Sequence, residues 1–289
     1  MIQGHGGNIY EIAKALGCSP REILDMSSNV SPLGMPAGLK AILKEKWEEV
    51  VSLPEVDSQS LRTEFAASMD LSPNQVLVGN GTTEFIYNIP LALRVKKALI
   101  VGPTYSDYAD ACRAHRVEPS FCLAREEAGF RPSLDKISSM LARVDTVFIC
   151  NPNNPTGGLI PGQSLTRLIE AYPKVRFVVD ESYLPFVPNW QTDSLINGNA
   201  GNVILLHSFS KIFAIPGLRL GFFIAAPEIT HAFEPFSQPW SVNRLAQLAG
   251  SFLVTQAAFM EETARFVQEE RKAFLARLEG VDLLVPFPS

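Results

Sequence analysis

Thr146-Val-Phe-Ile-Cys150 runs directly into Asn151-Pro-Asn-Asn-Pro-Thr-Gly-Gly158, and further on Arg176-Phe-Val-Val179 ends on Asp180. Both apolar runs are too short for helices. Both are rich in β-branched and aromatic side chains and stop on polar residues, which marks strands buried on both faces. Working outward, the same pattern recurs at Val76-Leu-Val78, which breaks at Gly79-Asn-Gly81, and at Ala98-Leu-Ile-Val101, Val203-Ile-Leu-Leu206 and Leu220-Gly-Phe-Phe-Ile224. Helical stretches lie between them, one from about Thr82 to Leu93. Such an alternation predicts an α/β fold with a mostly parallel central sheet and helices on both faces.

The flanks read as helices and loops. Asn8 is placed to cap a helix, with Glu11 three residues on, apolar residues at Ile9, Ile12, Ala13 and Leu16, and Gly17 as its stop. Ser19-Pro-Arg-Glu22 repeats the start signal, and Asp25 to Gly34 is rich in turn residues. A long helix is expected from Gln256 to Leu278, stopped by Gly280 and followed by a strand from Val281 to Val285.

Composition excludes several classes of function. The 289 residues carry 25 Lys and Arg against 30 Asp and Glu, without the basic stripe of a nucleic-acid binder. No apolar run reaches a membrane span. The opening MIQGHGGNIY lacks the basic-then-apolar order of a signal peptide. Cys18, Cys112, Cys122 and Cys150 form no CxxC pair and the four histidines are scattered, so no metal site is expected and a reducing cytoplasm fits. Neither GxGxxG after a strand nor GxxxxGK[ST] is present, which argues against a nucleotide-binding oxidoreductase.

In an open α/β sheet, ligands bind beyond the carboxyl ends of the strands, and polar residues cluster at those positions. Gly81-Thr82-Thr83 could offer backbone N–H groups and a helix dipole to an anion, or be ordinary turn chemistry. Ser208, Ser210 and Arg219 could add donors to the same anion. Asp180 could hold a proton on a ring nitrogen or cap a turn. Tyr105 could stack on a ligand ring or sit at the core edge. Tyr183 and Asn154 could bond a ligand oxygen, or Asn154 could serve the turn before Pro155. Lys211, in His207-Ser-Phe-Ser-Lys211, could be an amine nucleophile or a solvated lysine.

Four motifs, taken in order, are specific. Asn151-Pro-Asn-Asn-Pro-Thr-Gly157, Asp180-Glu-Ser-Tyr183, Ser208-Phe-Ser-Lys211 and Gly217-Leu-Arg-Leu-Gly221 resemble the class I/II aminotransferase family of fold-type I pyridoxal 5′-phosphate (PLP) enzymes. The resemblance covers nearly the whole chain and implies the PLP-dependent transferase fold (type I). It implies Lys211 as the Schiff-base lysine, Asp180 as partner of the pyridine nitrogen, and Asn154 and Tyr183 on the ring oxygen. Tyr105 would stack on the ring, and Thr82 and Thr83 after Gly81, with Ser208, Ser210 and Arg219, would bind the phosphate. Lys211, Asp180 and Tyr105 form the implied catalytic set.

Within the family the chain resembles the histidinol-phosphate aminotransferase group. Its opening, His5-Gly-Gly-Asn-Ile-Tyr-Glu11 with Ser28-Asn-Val-Ser-Pro-Leu-Gly34, is similar to that of threonine-phosphate decarboxylases, which make aminopropanol phosphate for cobalamin. The resemblance therefore implies an enzyme acting on a phosphorylated amino acid or amino alcohol. Decarboxylation is the first expectation, amino transfer the second, and PLP binding without useful catalysis the third. His5, Gly6, Gly7 and Asn29 are the implied contacts to the substrate phosphate. The implied organisation is an arm over the site (1–31), a large PLP-binding domain (32–240), the start of a small domain (241–289) and a homodimer.

Two departures stand out. Relatives carry a Tyr-Pro pair whose tyrosine reaches the partner subunit's cofactor phosphate, and here the pair is Leu53-Pro54. Relatives also continue beyond the Pro-Ser matching Pro288-Ser289, through an arginine that grips the substrate carboxylate. The expectation is a truncated small domain lacking that arginine.

Overall fold

The computed structural model describes residues 7–198 and 200–279. Seven strands form one sheet: β1 (Val76–Asn80), β2 (Ala98–Gly102), β3 (Ser120–Leu123), β4 (Thr146–Cys150), β5 (Arg176–Asp180), β6 (Val203–Ser208) and β7 (Leu220–Ala225). The helices in chain order are α1 (Ile9–Leu16), α2 (Leu39–Glu45), α3 (Gln59–Ser68), α4 (Thr82–Ala92), α5 (Asp107–Ala114) and α6 (Leu134–Leu141). They continue with α7 (Gly162–Ala171), α8 (Phe209–Ile212), α9 (Pro227–Phe233), α10 (Arg244–Leu253) and α11 (Ala257–Leu278).

Side chains of the inner strands alternate between two buried clusters. On β4, Val147 and Ile149 join one cluster while Phe148 and Cys150 join the other; on β5, Phe177 and Val179 oppose Val178. A strand with apolar neighbours on both faces has no position left for a polar residue, hence the unbroken apolar runs.

The strand order is β1-β7-β6-β5-β4-β2-β3. The adjacent pairs are parallel except that β7 runs antiparallel to both β1 and β6. This reversal places the site. Strands β1, β4, β5 and β6 all end at one rim, and β7, running the other way, starts there. The register fixes it: Cys150 lies beside Asp180, Ser208 beside Gly221, and Asn80 beside Leu220. The connection from β6 to β7 carries α8 and a turn at Pro216–Leu218, so Lys211 and Arg219 come from one short excursion at the rim.

Several local expectations need adjustment. The capping box at Ser19 forms, with Glu22 accepting from Ser19 N at 2.7 Å, but it opens only a single turn, Pro20–Glu22. Ile23, Leu24 and Met26 follow, but Leu24 and Met26 are left exposed, so no packing propagates the turn. Strand β3 was not expected. It is an edge strand on which only Cys122 is buried, so it shows no apolar run. Around α1, Asn8 Oδ1 accepts from Glu11 N and Gly17 ends the helix in the left-handed region, as the sequence predicts. The expected Gly280 stop and the 281–285 strand lie outside the described residues. Helix α11 packs against the turn Leu184–Phe186.

Candidate active site

The rim is hollowed into a cavity of about 410 Å³. Asn29, Thr82, Thr83, Tyr105, Asn154, Asp180, Tyr183, Ser208, Ser210, Lys211 and Arg219 all line it. Residues drawn from six separate stretches of chain thus share one concave surface.

One wall is an anion cradle. Gly81 supplies no capping side chain to α4, whose first-turn N–H groups need outside acceptors. Arg219 adopts a left-handed φ of 59°, costly for a bulky side chain and held by its surroundings. Its Nη2 donates to Thr83 Oγ1 at 3.3 Å and its Nη1 to Pro216 O at 3.4 Å. Gly81 does not line the cavity but sits behind Arg219. Its φ is 74°, and a Cβ there would meet Nη2 at 2.5 Å. Ser208 caps α8, accepting from Ser210 N at 3.3 Å, and Ser210 Oγ donates to Leu220 O at 3.5 Å.

Asp180 is only 5% exposed. Its Oδ2 accepts from the Tyr108 hydroxyl at 2.8 Å and its Oδ1 from Ser182 N at 2.9 Å. Burial raises its pKa, and the Ser182 and Tyr108 hydrogen bonds pull against that rise. The next residue anchors the strand end. Glu181 accepts from Ser194 Oγ at 2.6 Å and Leu195 N at 2.9 Å and pairs with His207 Nε2 at 2.9 Å.

Burial pushes the Lys211 ammonium below its ordinary pKa, the Arg219 charge pushes it the same way, and Asp180 opposes both. The amine is thereby biased toward its neutral, nucleophilic form. Burial pushes the Tyr183 phenol up to about 12 and raises that of Tyr105, so both remain proton donors at neutral pH. Burial likewise pushes the Cys150 thiol up to about 12, and its Sγ donates to Pro152 O at 3.2 Å; it is an inert thiol. The loop carrying Asn154 is pinned by Asn151, whose amide exchanges two hydrogen bonds with Ile160 at 2.9 and 2.7 Å, and by Asn153 Nδ2, which donates to Pro103 O at 2.8 Å.

These residues fit PLP. The cradle offers helix N–H groups, hydroxyls and a guanidinium to a phosphate. Among the described residues the hydrogen-bond donors to Asp180 are neutral, so a protonated ring nitrogen would suit its charge. Thr104 Oγ1 is buried in the same wall with no hydrogen-bond partner among the described residues.

The expected substrate contacts are distributed differently. Asn29 lines the cavity together with Ser27 and Ser28. Gly7 does not, and its N–H already donates to Ser27 Oγ at 2.6 Å. His5 and Gly6 lie outside the described residues. The arm is tied to the site where Ser31 N donates to Lys211 O at 2.9 Å. Sequence reading missed Tyr108, Ser182 and Thr104. The available signal was Tyr108 three residues after Tyr105, across the turn that opens α5, where the two rings meet edge to face at 5.8 Å. Among the described residues no group of His, Cys, Asp and Glu could hold a metal, and no helix is long and apolar enough to cross a membrane.

Residues 21–286 match the sequence profile of Aminotransferase class I and II. The threonine-phosphate decarboxylase of Salmonella typhimurium is 33% identical over 288 residues, covering 98% of this chain and 79% of that protein. The Leptospira interrogans adenosylcobalamin biosynthesis bifunctional protein CobDQ is 31% identical over 99% of this chain, which spans only 33% of its length. A histidinol-phosphate aminotransferase from Anaeromyxobacter is 30% identical, over 94% of this chain and 75% of its own. Among solved structures, the L-threonine-O-3-phosphate decarboxylase of Porphyromonas gingivalis aligns with a TM-score of 0.78 at 31% identity, over 89% of this chain and 80% of that one. The histidinol-phosphate aminotransferase of Sinorhizobium meliloti, in complex with pyridoxal-5′-phosphate, shares the fold with a TM-score of 0.86 at 18% identity, over 100% of this chain and 78% of that one.

Proposed function

This chain belongs to the aminotransferase class I and II family, and from that premise we propose that it is a PLP-dependent enzyme that decarboxylates a phosphorylated amino acid of the threonine-phosphate type. The observation that carries the reading is the arm: Ser27, Ser28 and Asn29 form part of the cavity wall, in a segment tied to Lys211 through Ser31. The identity to the Salmonella and Porphyromonas decarboxylases supports it.

PLP, when bound, supplies an electron sink for the charge left at the substrate Cα. The chain's own residues do the rest. Lys211 would hold the cofactor covalently, and its Nζ, biased toward the neutral form by burial and Arg219, would take or return a proton beside the substrate Cα. Asp180, held by Tyr108 and Ser182, would keep the ring nitrogen protonated. Asn154 and Tyr183 would bond the ring oxygen and Tyr105 would cover the ring. Thr82, Thr83, Ser208, Ser210 and Arg219 would fix the phosphate. Asn29 and its neighbours would turn the substrate so that the carboxylate, rather than the Cα hydrogen, stands in line with the electron sink. Orientation of this kind selects the bond that breaks.

The deciding measurement is carbon dioxide release from O-phospho-L-threonine, with formation of 1-amino-2-propanol phosphate. Amino transfer from histidinol phosphate to 2-oxoglutarate is the alternative reading, supported by the Anaeromyxobacter relative, and would show no carbon dioxide. Neither product would overturn the substrate assignment while leaving the family and the cofactor standing. Residues 32–240 are read as the cofactor-binding domain, with 1–31 as the arm and 241–289 as the start of the small domain. A pair of chains belongs to the same reading. Leu24, Met26, Val51 and Leu53 are 84%, 86%, 83% and 74% exposed, apolar side chains that a second chain would cover.

A further inference from the structure

A second cavity of about 390 Å³ adjoins the first, and Asn29, Asn154, Pro155 and Tyr183 line both. Each is within the size range of small-molecule sites, about 300–1,000 Å³. The wall of the second chamber includes Phe186 and, from helix α11, Arg271. Nη2 of Arg271 is buried and has no hydrogen-bond partner among the described residues, and Arg271 forms no ion pair among them. Arg271 as a whole is half-buried, but a donor shut off from water with nothing to accept from it is destabilising unless a ligand completes it.

We propose that Arg271 anchors an anionic oxygen group of the substrate. This rests on the reading of the first chamber as the place where the substrate amine meets Lys211. The substrate would then lie across the neck between Asn154 and Tyr183, with its amine in the first chamber and its anion in the second. A guanidinium offers paired parallel donors to either a phosphate ester or a carboxylate, and these are the two sources of such a group on a phosphorylated amino acid. An anchor at this distance works by orientation and sets which Cα bond faces the cofactor.

The test uses the cofactor-loaded enzyme with two probes that carry no amine, n-propyl phosphate and n-butyrate, and calorimetry as the readout. Wild type is expected to bind at least one of them. Arg271→Gln is expected to weaken that binding roughly 10- to 100-fold, the value of a charged bidentate contact, and Arg271→Lys to recover part of it. The tighter probe identifies the source as phosphate or carboxylate. Because Arg271 has no partner to lose among the described residues, Arg271→Gln should keep or raise the melting temperature. Equal binding by wild type and Arg271→Gln, or no binding of either probe by wild type, would overturn the proposal. So would a lowered melting temperature with unchanged affinity, which marks a structural arginine. None of these results depends on which reaction the enzyme performs.

Discussion

The hydroxyl of Tyr108 gives Asp180 a donor that none of the four motifs contains. Burial lifts Asp180 toward protonation, and the bond from Tyr108 at 2.8 Å draws it back. Burial also raises the Tyr108 pKa well above that of a free phenol, so it stays a donor across the working pH range. Tyr108→Phe removes one acceptor's partner and lets the Asp180 pKa climb further. On the proposed role of Asp180 the ionised carboxylate is the form that would hold a proton on the ring nitrogen, so the acid limb of the pH–rate profile should move to higher pH. The rate at neutral pH should fall by roughly 10- to 100-fold, the usual cost of losing a hydrogen bond to a charged group. A pH titration of the bound cofactor's absorbance checks the direction independently of turnover. At this scale legibility was uneven. Lys211 and Asp180 were marked out by the sequence because each sits in a contiguous string near a strand end, and both line the cavity. Tyr108 was not, because a tyrosine at helical spacing looks like core. Arg271 was not, because Glu269-Glu-Arg-Lys272 reads as a solvated helix face.

Strand β7 is the element on which the cradle depends. Gly221, beside Ser208 in register, lets α4 seat against the sheet. A Cβ at this position would meet Thr82 N at 2.5 Å and Gly81 C at 2.8 Å, and backbone atoms cannot swing away. Gly221→Ala should therefore destabilise the fold by about 1–3 kcal/mol, with a lowered melting midpoint. It should also loosen the cofactor phosphate, seen as faster dilution-driven loss of cofactor absorbance than in wild type. A substitution with unchanged midpoint and unchanged cofactor retention would show that the seat is not needed. The inner strands were readable from their unbroken apolar runs. The direction of β7 was not, because a strand buried on both faces has the same composition whichever way it runs. Strand β3 was invisible for the opposite reason, since an edge strand need bury little.

At the scale of the molecule, a sheet covered on both faces followed directly from the sequence, and so did the rim where the motifs meet. What the residues alone could not supply was the neighbour relation: that β1 ends up beside β7 rather than beside β2. This relation has a consequence in time. The two sides of the phosphate cradle, Thr83 and Arg219, stand 136 positions apart, and they face each other only after β7 has entered between β1 and β6. Pairings this distant are late events in folding. A chain regaining its helices from denaturant should therefore recover far-UV ellipticity first and the visible absorbance of lysine-bound cofactor last, in its slowest phase. Cofactor capture would then act as a clock for the final closure of the sheet. An emerging chain on the ribosome could not take up the vitamin until β7 had been made.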